Sequence, residues 1–559
     1  MPGSALSVVD GLARPGSHPE LKEGFVAVST KSAGTVYVNG RIWAGRGLEV
    51  PALAVRDGRV LALGEQAREL AGAEVVDLRG RRVIPGLIDG HLHAARAGAT
   101  WSAELHWTGV PDVVAALATI EAAARQRRPG EWIRAIGGWH PCQFAESREP
   151  TRAELDAVAP DHPVYVQALY ESAVLNTAGI RATGLDGIDG DPPGGRVERD
   201  PVTGAATGRI EGMGAFTHCL DAIAPPGPVE QRRSTAAMFA DLHASGLTGI
   251  VDPGGFGMAP ERYEPLFSLW RDRELSMRMR LFLSAVDPGQ EYAQLESWLR
   301  HAHSRFGDDM LQFLGIGEVV HFGCHDFEGL TGFGISEESA AQLYDISYAT
   351  AARGWPMNIH AVLDSSIDVI LDCWEAVDKL IPLAGLRFSV SHADRVSARN
   401  LRRLRALGAG VVLDDHQVFK AAASESVWGR AAMATVPPVA DVLAEAIPLA
   451  AGTDASRASS YSPWLSLWWL VAGTSLDGVP RRSKEHLLSR ERALEAYTEG
   501  SAWLSFEESD RGHLRPGARA DFAVLSEDYF SVPAERIPAI SAELTVVGGR
   551  VVHSTGAVG

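Results

Sequence analysis

Cysteine is scarce in this chain: Cys142, Cys219, Cys324 and Cys373 are four in 559 residues, with no CxxC pair. That excludes a disulfide framework and a zinc ribbon, and makes a reducing cytoplasm the simplest setting. Long apolar runs are missing as well. No window approaches the roughly 18 uninterrupted apolar residues of a spanning helix, so no membrane segment is expected. The first thirty residues carry Asp10, Arg14, Glu20, Lys22 and Glu23 without a sustained apolar stretch, unlike a secretory signal. Positive charge is short: the formal net charge is −18. A chain so acidic is a poor polyanion binder, which argues against nucleic acid but leaves room for one anionic ligand on a local basic cluster.

What is present is ordinary for a globular enzyme, with 46% hydrophobic and 22% charged residues. The length calls for one large domain with a smaller partner or insertions. Residues 1–34 read as an irregular arm. Two β-rich regions follow at opposite ends, 35–83 and 512–559. The first carries Asn39-Gly40 and Asp57-Gly58, both hairpin signals. Neither region could bury a sheet alone, so both termini are expected to build one small β-sandwich.

Between them, over 84–511, apolar runs alternate with amphipathic helical stretches. Such alternation predicts βαβ units and a parallel sheet. The eight candidate strands are 83–93, 248–252, 277–285, 312–320, 356–362, 387–392, 410–414 and 447–454. The expected fold class is α/β, a (βα)8 TIM barrel with its chemistry at the C-terminal strand ends. Two further runs, 132–138 and 163–169, fall in the gap after the first strand. They mark residues 101–223 as an insertion with strands of its own.

His91 and His93 sit at i and i+2 at the end of the first strand, so their side chains share a face. One His-x-His pair is weak evidence, because strand histidines are often merely hydrogen-bonded. Repetition strengthens it. His360, His392 and Asp454 each end a strand that the alternation had already placed in the barrel. Nitrogen and oxygen ligands converging on one rim are costly without a cation.

The stretch Pro85-Gly86-Leu87-Ile88-Asp89-Gly90-His91-Leu92-His93, followed by His360, His392 and Gly452-Thr453-Asp454, resembles the amidohydrolase superfamily. Residues 150–160 and the Pro-Pro-Gly-Gly segment leading to Gly208-Arg209-Ile210 are similar to its amidohydrolase-3 branch, which includes N-substituted formamide deformylases. The resemblance covers roughly 35–555. It implies that His91, His93, His360, His392 and Asp454 are metal ligands, with Asp454 able to act as a base.

The chain departs from that pattern in two places. Many relatives carry a carbamylated lysine at the end of the fourth strand, bridging two metals. Here Glu318 occupies that approximate position, and a glutamate can bridge without modification. The Asp-Gly-His usual in the insertion is replaced by Tyr170-Glu171-Ser172. Other histidines are gained: His140, His321, His325 and His416, candidates for extra ligands or for ligand support.

These departures resemble the TIM-barrel nonheme diiron monooxygenases known from platensimycin and platencin biosynthesis. That resemblance implies two metal ions, iron in kind, held by His91, His93, Glu318, His360, His392 and Asp454. Glu318 and Asp454 are then the catalytic carboxylates. It further implies a bulky apolar, CoA-linked, diterpenoid-type acid as substrate in secondary metabolism, with O2 and an external electron donor. Nitrogen and oxygen donors without thiolate suit iron. The alternative is a zinc-dependent hydrolase of an amide, formamide or related bond. Tyr170, Trp464, Arg481 and Arg482 are the candidate substrate contacts, the two arginines for phosphates and Trp464 for an acyl group. Arg125-Gln126-Arg127-Arg128 is a second basic cluster. A homo-oligomer is open.

Overall fold

The computed structural model describes residues 34–558 except 189, 328 and 331. The expected N-terminal arm lies outside the described residues, apart from Gly34. Eight parallel barrel strands, here β1 to β8, are Leu87–Asp89, Leu247–Asp252, Arg278–Leu283, Leu311–Ile316, Asn358–Ala361, Ser389–His392, Gly410–Leu413 and Leu449–Ala451. All eight coincide with the apolar runs. They are buried along nearly their whole length, as strands covered on both faces must be.

β1 to β4 pair in sequence order, and so do β5 to β8. The two arcs meet twice. Ile316 bridges to Met357, and the Gly90 amide donates to the Ala451 carbonyl at 2.9 Å. The barrel therefore closes, and residues just beyond the strand ends are brought onto one rim.

The terminal segments build two sheets. One holds Thr35–Val38, Leu53–Arg56, Arg59–Leu63 and Glu74–Asp77. The other interleaves both ends of the chain: Phe522–Leu525 pairs antiparallel with Arg82–Pro85, which pairs with Arg41–Gly45. Tyr37 and Phe522 meet edge-to-face in the core between the sheets, centroids 4.9 Å apart. A buried ion pair fastens this sandwich to the barrel, with a second inside the barrel beside it. Arg278 in β3 donates to Asp521 at 2.7 and 3.0 Å, and Arg280 grips Glu507 at 2.6 and 2.9 Å.

The insertion carries a five-stranded sheet containing Ile133–Ile136 and Val164–Ala168. It is seated on the segment following β8. Gly137 packs so tightly there that an added Cβ would lie 2.2 Å from the Ser456 carbonyl oxygen, and Thr108 shares a hydrogen bond with Ser460 at 3.1 Å. Among the described residues no helix is long and apolar enough to cross a membrane.

Candidate metal centre

His91 and His93 follow β1, Glu318 follows β4, His360 lies in β5, His392 ends β6 and Asp454 follows β8. Glu318 stands at the centre of the group and is 6% exposed. Its Oε2 lies 3.0 Å from His91 Nε2, 3.6 Å from His392 Nε2 and 4.0 Å from His360 Nδ1, while Oε1 lies 3.4 Å from His93 Nε2. Asp454 Oδ1 is 3.0 Å from His93 Nε2 and 3.6 Å from His91 Nε2.

A histidine the sequence named without choosing completes the group. His325 stacks on His360 with centroids 3.7 Å apart, and its ligand-capable nitrogen falls within reach of Glu318 and His360. It sits in the loop after β4, where no strand periodicity points to it. Its one sequence signal is nearness to Glu318.

The ring directions are fixed from behind. His91 Nδ1 meets Ser391 Oγ at 3.0 Å, and His93 Nδ1 meets the Gly254 carbonyl at 2.8 Å. His360 uses Nε2 on the Phe327 carbonyl at 2.7 Å, so Nδ1 faces Glu318. His325 Nδ1 accepts from the Phe327 amide at 3.1 Å, which aims Nε2 inward. His392 Nδ1 is held by Asp414, whose other oxygen holds His416, and His416 reaches Asp394 at 2.7 Å. Such partners orient ligands and set their tautomers.

These residues fit a cation. His91 Nε2, His325 Nε2, His392 Nε2 and Glu318 Oε2 are buried together without a well-formed hydrogen bond. Buried polar atoms are rarely left so, and four of them facing each other call for a positive centre between them. Burial opposes charge on Glu318, yet the neighbouring His91, His93 and His392 rings hold its carboxyl well below the usual range.

Asp89 and Thr453 do structural work that the sequence did not single out. Asp89 accepts from the His91 amide at 3.0 Å, and from the Thr453 amide and hydroxyl at 3.1 and 2.7 Å. This buried carboxylate ties β8 to β1, and so Asp454 to the histidine pair.

Several expected contacts fall elsewhere. His140 pairs with Glu171 at 2.9 Å in the insertion, and His321 turns to Gln342 at 2.9 Å. Neither joins the cluster around Glu318, because each imidazole already spends both nitrogens on local partners. His416 stands one residue behind His392 and supports it through Asp414. Arg481 is spent on Glu425 and Asp477, and Arg482 is buried against the carbonyls of His486 and Pro437, so neither offers a free cation to a phosphate. Arg125 and Arg128 pair with Glu121 and Glu131. Trp464 is core: 1% exposed, with its N–H on the Ser245 carbonyl at 3.0 Å. Tyr170 stays half-buried in the insertion, near the rim.

The comparisons agree with this geometry. A sequence model of the amidohydrolase family matches residues 74–553. N-substituted formamide deformylase of Arthrobacter pascens is 26% identical over 507 residues, covering 85% of this chain and 90% of its own. An uncharacterised metal-dependent hydrolase of Pyrococcus horikoshii superposes with a TM-score of 0.64 at 22% identity, over 90% of this chain and 99% of its own. Atrazine chlorohydrolase TrzN of Arthrobacter aurescens, solved with zinc, gives 0.52 at 14% identity, over 94% and 97%. A closed eight-stranded barrel, a cation-demanding rim and a family match across most of its length make this chain a metal-dependent enzyme, and it belongs to the amidohydrolase family, in the amidohydrolase-3 branch.

Proposed function

We propose that this is a hydrolase of an amide, formamide or related bond, using two metal ions that share Glu318. His91, His93 and Asp454 would hold one, and His325, His360 and His392 the other. The observation that carries this is the set of orphaned nitrogens around Glu318 Oε2. When bound, a metal pair activates water and polarises the carbonyl under attack.

The chain's own residues supply the rest. Asp454 turns Oδ1 to His91 and His93. Its other oxygen can take the proton of the attacking water and return it to the departing amine. Asp89 and Thr453 hold Asp454 in register with the histidines. The insertion is seated against Ser456 and Ser460, on the segment that leads on from Asp454. The name of the Arthrobacter pascens relative supports a C–N bond as the target. The test is zinc-loaded protein assayed on N-substituted formamides without oxygen. Turnover that falls at least a hundredfold in Asp454→Asn is expected, and strict dependence on oxygen would overturn the hydrolase.

One observation favours a second reading, a diiron monooxygenase acting on a bulky apolar acid with O2 and an external electron donor. With His325 included, each half of the site offers four protein donors when Glu318 is shared. Four donors fill a tetrahedral zinc, whereas a six-coordinate iron keeps free positions. The finer suggestion of a CoA thioester loses its two phosphate contacts, since Arg481 and Arg482 are committed inside the fold. Iron in protein purified without added metal, with oxygen-dependent turnover, would move the assignment to this reading.

A further inference from the structure

The short helix Ala94–Gly98 begins directly after His93, so whatever it projects arrives beside the metal rim. Ala94, Ala95, Ala97 and Gly98 are buried against the barrel. Arg96 is the one long side chain of the helix and remains partly open. Among the described residues it makes no hydrogen bond and no ion pair. Arg82, Arg278, Arg280 and Arg511 each meet a carboxylate, and Arg482 meets carbonyls.

The anions near Arg96 are occupied. Its surroundings include Tyr170, Asp454, Glu318 and Asp252. Asp252 is engaged by the amides of Ala95 at 2.8 Å and Gly254 at 2.9 Å. Glu318 and Asp454 face the histidines. Tyr170 also makes no hydrogen bond among the described residues, so a guanidinium and a phenol are left unpartnered near one another. Burial opposes the charge on Arg96, yet Tyr170, Asp454, Glu318 and Asp252 hold it charged from a distance, and none of them takes its N–H donors. Two divalent cations would deepen the imbalance, because they bring more positive charge than Glu318 and Asp454 neutralise.

We propose that Arg96, assisted by the Tyr170 hydroxyl, binds a carboxylate on the substrate beside the metal pair, so that the natural substrate is an acid. The planar fork of arginine matches a carboxylate with two parallel hydrogen bonds, which fixes orientation as well as charge. The reacting bond would then be placed by its distance from that carboxylate. The assignment rests on the barrel rim being the catalytic site and holds whether the reaction is hydrolysis or oxygenation.

The test uses benzoate and its uncharged counterpart benzamide as probes on metal-loaded, full-length protein, read by calorimetric binding and by thermal shift. The wild-type chain is expected to bind benzoate at least tenfold more tightly than benzamide. Arg96→Met should lose that preference while keeping its metal content, and Arg96→Lys should keep a weakened one. Equal binding of the two probes by the wild type would overturn the proposal. So would undiminished benzoate preference in either variant, since the carboxylate would then be held by the metals alone. If Arg96→Met does not fold, Arg96→Lys decides by the same criterion. No turnover is measured, so a failed assignment of the reaction leaves this result standing.

Discussion

His325 and His243 show how differently two buried histidines can be used. His325 Nε2 is buried, unpaired and turned toward Glu318. Burial and the adjoining His360 push its pKa well below the ordinary value, which keeps the ring neutral and able to ligate. His325→Ala should therefore lower metal content below that of the wild type, measured by elemental analysis, while His321→Ala should not. His243 lies far from the rim, with Nδ1 on the Leu247 carbonyl at 2.8 Å and Nε2 on Ser276 at 3.0 Å. Burial lowers its pKa from 6.5 to about 4. The unfolded chain thus takes up this proton before the folded one does. Its contribution is complete above pH 6.5 and is lost as pH falls toward 4, by about 3 kcal/mol. Denaturant titrations of His243→Gln should show a flatter stability profile across that window.

Much of the rim cluster was legible at the residue scale because each member ends an apolar run. His91, His93, His360, His392 and Asp454 are marked by position as much as by type. His325 was named but could not be chosen, since a loop has no period to say which way its side chains turn. Arg96 was invisible for another reason. Its significance lies in having no partner, and a sequence does not show which of its arginines are paired.

At the scale of elements, β8 depends on a close approach that only glycine allows. A Cβ on Gly452 would lie 2.3 Å from the His91 amide nitrogen and 2.7 Å from Asp89 Oδ1. Gly452→Ala must push β8 away from β1, separating Asp454 from His91 and His93. Overpacking of this kind costs about 1–3 kcal/mol. The expected outcome is a lowered melting temperature together with reduced metal content. A variant with full metal content would show that the two strands can part without disturbing the rim. Alternating patterns gave the eight barrel strands because fully buried parallel strands are apolar along their length. The helix Pro463–Ala472 was harder to place. Trp464 reads in the sequence as a contact for an acyl group, whereas the structure buries Trp464, Leu467 and Trp469 in the interior. A helix apolar on nearly every side belongs inside.

Across the whole molecule, the terminal sandwich and the barrel are joined by charges buried at their interface. Arg278 is 1% exposed and meets Asp521, which also receives Arg511. Arg278→Met leaves Asp521 with less compensation in a buried place, and breaking such a pair costs about 3–5 kcal/mol. A single unfolding transition at lower denaturant is expected. Two separated transitions would mean that the sandwich and barrel do not stabilise each other. How the insertion seats on the segment after β8 was not legible in the sequence. Its strands were, but the fit of Gly137 against Ser456 depends on backbone approach between segments more than three hundred residues apart.

If Glu318 is shared by two metal ions, its removal must release at least one of them. Elemental analysis of the wild type and of Glu318→Ala, each metal-loaded and dialysed in parallel, tests this most directly. Two metal ions per chain are predicted for the wild type, and no more than one for the variant with its fold intact by circular dichroism. Two ions retained in Glu318→Ala would contradict it.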